Sequence, residues 1–127
     1  MKLNTHLKID QTLNGSVLKL KKGYAKIALQ TTSIMIADAQ GLVHGGFIFG
    51  AADFCAMATI NDPLVVLAKS EVKFLAPVKM GEAVEFEGTI SEEKGNRATV
   101  EVTGAVKEKK VFIGTFYTAI LEKHLLS

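Results

Sequence analysis

The sequence has no tryptophan, only one cysteine, only two prolines and almost no excess of charge, and each shortage excludes something. Cys55 alone cannot form an internal disulfide, so a reducing, cytoplasmic compartment is the expected one. Fifteen basic against 13 acidic side chains leave a formal charge of +2 and no concentrated positive field to neutralise phosphates, so no nucleic-acid partner is expected. The amino terminus, Met1-Lys2-Leu3-Asn4-Thr5-His6, lacks the apolar core of a secretory signal. His6, His44 and His124 show no metal-ligand spacing, and no metal is expected. Repeats, low-complexity tracts and linkers are also missing.

One long apolar run is present. Gly41 to Ile60 (GLVHGGFIFGAADFCAMATI) carries a single formal charge over about twenty residues, the length that spans a bilayer. It also holds His44, four glycines and a central Asp53, and an Asp at that depth costs roughly 2.5–3.5 kcal/mol on insertion scales. A helix buried inside a globular fold explains the same composition, so no membrane is expected. At 127 residues and 48% hydrophobic, the chain suits one domain over residues 1–127.

Ser16 to Leu29 reads as one or two strands around Gly23. Thr31 to Ile36 is β-branched and fits a short strand or a connection into the glycine-rich turn Gly41 to Gly46. Phe47 to Thr59 is apolar on every face but for Asp53, as a buried helix is, and Asn61-Asp62-Pro63 ends it. Leu64 to Phe74 follows as a long central strand, closed by the turn Ala76 to Gly81. Val84, Phe86, Gly88 and Ile90 then alternate with Glu85, Glu87 and Thr89, a period of two with one wet face. Glu92 to Asn96 is the expected hairpin loop, and Ala98 to Val106 and Val111 to Leu121 are strands joined by the charged turn Lys107 to Lys110. The expected architecture is α+β: one strand region, one very apolar helix, then four strands in a meander. A curved antiparallel sheet of five to six strands wraps the helix, and a second copy covers the side of the helix left bare.

Two features of the helix can carry chemistry. Its entry, His44-Gly45-Gly46-Phe47, lets a ligand approach backbone N–H groups that a helix leaves unpaired, and such a terminus stabilises negative charge. A developing oxyanion on a thioester carbonyl needs donors of that kind; a tight entry turn is the plainer explanation of the glycines. Asp53 is a carboxylate among Ala51, Ala52, Phe54 and Cys55, which must find partners such as Thr59, titrate upward, or face a cavity as a general base or nucleophile. Gly45 and Asp53 stand eight positions apart, roughly 12 Å along a helix. One helix cannot bring both to one carbonyl carbon, whereas two packed antiparallel about a two-fold axis can, with two sites per dimer.

The string His44 to Asp53, preceded by Gly41 and followed by Phe74-Leu75-Ala76-Pro77-Val78, resembles the hotdog-fold acyl-CoA thioesterases of the phenylacetyl-CoA thioesterase type from Ser16 onward. The resemblance implies a central helix wrapped by a curved sheet, a homodimer or homotetramer, and metal-free hydrolysis of an acyl-CoA to a free acid and coenzyme A. No cofactor is implied beyond the coenzyme A of the substrate. By that likeness the Gly45 or Gly46 amide polarises the carbonyl and Asp53 of the partner subunit activates water or attacks directly. His44 opens the motif. Six residues before it, where such enzymes carry Asn or Gln, this chain has Asp38, which when ionised accepts hydrogen bonds but donates none: either Asp38 is protonated, or nearby Gln40 substitutes for it, or the site has lost or changed its chemistry, the plainer explanation being an exposed loop residue. Expected substrate-binding residues are Gln40, Val43, Phe47, Phe49, Phe54 and Met57.

Val43 to Phe74 and the closing strands are also similar to the effector domain of the FapR-type regulators, a hotdog that senses an acyl-CoA without turning it over; the DNA-binding module of those regulators is expected to have no room in this chain. An acyl-CoA-binding protein acting through protein partners is therefore the second reading. Cys55 reads as a small core residue. Lys19, Lys21, Lys22 and Lys26 read as a wet strand face, of which one or two could meet the phosphates of coenzyme A.

Overall fold

The structure, a computed structural model, describes residues 1–127. A short helix α1 (Gln11–Asn14) precedes strands β1 (Ser16–Lys21) and β2 (Tyr24–Gln30), then comes a 3-10 turn (Ser33–Met35) and helix α2 (Gly45–Ile60). Strands β3 (Val65–Phe74), β4 (Ala83–Lys94), β5 (Arg97–Val106) and β6 (Lys109–Ile120) complete the chain. All six strands form one antiparallel sheet in the order β1-β2-β4-β5-β6-β3. With α2 packed against it, this is the hotdog fold.

The period-two patterns place the strands as read: Val84 and Phe86 of β4 and Val100 and Val102 of β5 are buried, and the residues between them face out. α2 lies on that inner face. A Cβ on Gly88 would overlap the Thr59 hydroxyl, so a glycine in β4 is what lets the helix come this close. Phe86, Phe112 and Phe116 from the sheet and Phe54, Cys55 and Met57 from the helix belong to one core of 22 buried residues.

The order of the strands corrects the meander. β4, β5 and β6 are consecutive neighbours, but β3 is not central: it pairs only with β6 and forms the sheet's edge, while β4 pairs with β2. The reason is that Leu75–Glu82 is a crossing, not a hairpin turn. Leu75 still donates to Val111 (2.8 Å), but Val78 accepts from Val43 (2.9 Å), Met80 donates to Gly41 (2.8 Å) and Glu82 accepts from Thr31 at the end of β2 (3.1 Å). The segment thus runs across the end of the sheet and delivers the chain to the far side of β5 and β6. Other boundaries shift less: α2 begins two residues early, at Gly45, and β4 runs on to Lys94, so the hairpin loop shrinks to Gly95-Asn96. The apolar run from Gly41 is therefore part loop and part helix, and no helix is long and apolar enough to cross a membrane.

Candidate active site at the start of the buried helix

The turn into α2 is built by its neighbours. Gly41 sits at φ +86°, a conformation that other residues adopt at a cost, and the chain then makes single bridges from Leu42 to Lys79 and from Val43 to Ile36. The Asp38 carboxylate organises the same loop, its Oδ1 accepting from the Gln40 amide (2.9 Å) and the Leu42 amide (3.2 Å). Gln40 itself is exposed and makes no side-chain hydrogen bond. His44 donates its amide to Met35 (2.8 Å) and occupies the N-cap position, but its side chain makes no capping bond.

The helix start is consequently unsatisfied. Phe47 N–H reaches the His44 carbonyl (3.1 Å), while the amides of Gly45 and Gly46 have no acceptor within the chain. Two free donors at the positive end of a 16-residue helix favour an anion or an oxygen gaining charge. Both glycines are closely approached: a Cβ on Gly45 would lie 3.3 Å from the Phe74 ring, and one on Gly46 3.0 Å from the His44 ring, so either ring would have to give way to a side chain. Beside Gly45 opens an apolar cleft of about 320 Å³, walled by Leu42, Val43, Ile48, the segment Phe74–Val78 and Val111.

Asp53 lies two turns further along. Its Oδ1 is buried and has no hydrogen-bond partner. Thr59, the partner considered from sequence, donates instead to the Cys55 carbonyl (2.8 Å). Removal from water alone pushes the Asp53 carboxyl up to about 6, because nothing nearby stabilises its charge. The charged form is thereby poised to accept a proton near neutral pH. The cleft beside Gly45 does not include Asp53, so the two halves of the chemistry do not meet in one chain.

The aromatic and sulfur side chains of α2 divide. Phe47 is half-buried with its ring edge-on to His44 (6.2 Å), and Phe49 packs on Phe116 (5.8 Å). Phe54 and Met57 are in the core, Phe54 against His6 (6.2 Å), and neither lines the cleft beside Gly45. Of the residues expected to meet substrate, Val43 alone is in that cleft wall. The rest of the wall, Phe74 to Val78, carries the family likeness in sequence but gave no chemical signal of its own. Phe74 and Leu75 are about half exposed there, unusual for side chains of that size beside a core.

Cys55 is buried, its thiol pushed up by burial and directed to the Ala25 carbonyl. Lys26 pairs with Glu85 (3.3 Å) and Lys21 lies over the Tyr24 ring (5.3 Å); with Lys19 and Lys22 they belong to β1, β2 and their connecting turn, at the opposite edge of the sheet from β3. No group of three or more His, Cys, Asp or Glu side chains is arranged to hold a metal.

A family model described as the thioesterase superfamily matches residues 40–113, more than half of the chain, from the Asp38 loop through the glycine turn to β6. The crystal structure of an uncharacterized protein from Pyrococcus horikoshii superposes with a TM-score of 0.99 at 42% identity, covering 100% of this chain and 98% of that one. Among curated relatives, a methylthioribose-1-phosphate isomerase of Aquifex aeolicus is 48% identical over 95% of this chain but 26% of its own length. A transcription factor FapR of Caldanaerobacter subterraneus is 29% identical over 88% of this chain and 56% of its own length. The chain thus spans about a quarter of the first relative and about half of the second. With the family's model matched across the loop, the helix and most of the sheet, the chain belongs to the thioesterase superfamily.

Proposed function

We propose that the protein hydrolyses an acyl-CoA thioester at a site shared by two copies of the chain. The observation that carries this reading is the pairing of unlike halves: free amide donors at Gly45 and Gly46, and an unpartnered carboxylate at Asp53. Asp53 of one protomer takes a proton from water as the water oxygen bonds to the thioester carbon, or attacks that carbon itself. The carbonyl electron pair moves onto oxygen, where the Gly45 and Gly46 amides of the other protomer receive it. Where water attacks, collapse expels the sulfur of coenzyme A, which takes up the proton Asp53 accepted, and releases the acid; where Asp53 attacks, the sulfur leaves as a thiolate and the mixed anhydride formed with Asp53 is then hydrolysed by water to free the acid and the carboxylate.

The edge strand supports a two-fold arrangement. β3 is ten residues long with one side unpaired, and an edge of that length invites a second strand. A two-fold axis normal to the sheet makes β3 pair with itself. Its outward residues are Lys69, Glu71 and Lys73. Centred on Ser70 or Val72, the pairing sets Lys opposite Glu; centred on Glu71 it sets like charges together, which is destabilising. The Phe74 ring lies against Gly45, so α2 and β3 run side by side in opposite directions, and the same axis brings the two helices antiparallel.

Asp38 favours one alternative, an acyl-CoA-binding protein that does not turn its ligand over. Its Oδ1 is engaged by the loop's own amides, and as a carboxylate it gives a substrate no donor. Free-thiol release from short, long and aromatic acyl-CoAs separates the two readings. Turnover that Asp53→Ala abolishes supports hydrolysis; ligand-raised melting temperature without turnover by wild type or Asp38→Asn supports binding alone.

A further inference from the structure

β3 has an apolar cleft at each end. The one at its carboxyl end, about 320 Å³, adjoins Gly45. The one at its amino end, about 440 Å³, is walled by Val65 and Val66 of the strand, by Leu121, Leu125 and Leu126, and by His6. Leu125 and Leu126 are 71% and 90% exposed, yet they are held in a turn, Leu126 donating to His124 Nδ1 (2.9 Å) and Ser127 to the His124 carbonyl (3.0 Å). Apolar side chains fixed in water beside an apolar cleft are a surface awaiting an apolar occupant.

The cleft beside Gly45 stands alone at the bottom of the ~300–1,000 Å³ range of small-molecule sites, enough for the reacting end of a ligand and little more. A two-fold axis through the middle of β3 exchanges the strand's ends. Such a pairing would set the amino-end cleft of one protomer beside the carboxyl-end cleft of its partner, and two clefts of about 440 and 320 Å³ joined would fall well inside that range.

We propose that the acyl chain of the substrate runs from the glycine turn of one protomer into the amino-end cleft of the other, where Leu121, Leu125 and Leu126 select for a long chain. This rests on the shared thioester site proposed above. Nothing charged is needed along such a path, and the cleft's polar groups, Thr5, His6 and His124, are engaged with one another or with the chain: Thr5 Oγ1 lies 2.8 Å from His6 Nδ1, and His124 Nδ1 accepts from Leu126.

The test uses the full chain and the double variant Leu125→Glu/Leu126→Glu, chosen because both side chains are exposed and neither touches the glycine turn or Asp53. Acetyl-, octanoyl- and hexadecanoyl-CoA are compared by kcat/KM and by the rise in melting temperature each produces. In wild type both readouts should grow with chain length; in the variant the hexadecanoyl value should fall about tenfold or more relative to the acetyl value. Equal changes at all lengths, or none, overturn the proposal. If wild type releases no thiol, hydrolysis is refuted, but a melting shift that grows with chain length and is lost in the variant still supports this cleft; a shift independent of chain length overturns it.

Discussion

The two ends of α2 are treated in opposite ways. At the carboxyl end Asn61 adopts a left-handed conformation (φ 56°), donates its amide to Met57 (2.8 Å), accepts from the Asn4 amide and donates its side-chain NH2 to the Lys2 carbonyl (2.8 Å). The Asn61 amide and both polar atoms of its side chain are used. At the amino end the N-cap side chain caps nothing, two amides are free and the adjoining cleft exposes Phe74 and Leu75. The interior polar residues repeat the contrast: Thr59 is satisfied by the helix backbone, whereas Asp53 Oδ1 has no partner. One helix thus holds polar groups that are bonded within the chain beside others, at Gly45, Gly46 and Asp53, that are not.

The largest effect expected from breaking this contrast is at Asp53. Asp53→Ala should lower thioester hydrolysis at least 10²-fold, with a melting temperature equal to or above wild type, because it removes a buried charge without a partner. Thiol release and calorimetry on the same preparation check both halves; a large loss of stability would assign Asp53 to structure. Asn61→Ala should do the reverse. Losing its cap bonds and placing Ala in a left-handed conformation should cost about 1–2 kcal/mol in urea unfolding, with turnover per folded molecule unchanged.

A pH series sharpens the comparison further. Asp53 is raised to about 6 in the folded chain, above its unfolded value, so between the two the folded state binds more protons than the unfolded. Its contribution to stability is therefore greatest below the unfolded pKa and is lost as pH rises through about 6. Activity that needs the carboxylate rises over the same window. Opposite pH trends in melting temperature and rate, both flattened in Asp53→Asn, are the expected result. The smallest effect belongs to Asp38→Asn, whose Oδ1 keeps both loop bonds while its new NH2 adds a donor: stability within about 0.5 kcal/mol of wild type, and a rise in turnover.

Much of this was legible in the sequence. The apolar run broken only by Asp53 marks a buried helix, alternation in Val84–Ile90 marks a half-wet strand, and the glycines before Phe47 mark a helix entry open to a ligand. Strand order was not legible, because alternation reports faces and not neighbours; nothing in Leu75–Glu82 says that it crosses the sheet's end. The cleft wall was half legible for a related reason. Phe54 and Met57 look no different in sequence from residues that would face a ligand, but the amino-terminal segment, through His6, covers Phe54. Phe74 and Leu75, at the end of the edge strand, are left open.

The central claim is that the donors of one protomer act with the Asp53 of the other. Gly46→Val and Asp53→Ala proteins, each inactive alone, should be unfolded together, refolded at equal concentration and assayed for thiol release. If the site is shared, half of the dimers are mixed and each mixed dimer regains one intact site, so activity returns to about a quarter of wild type. Activity that stays at the level of the separate variants would contradict the shared site.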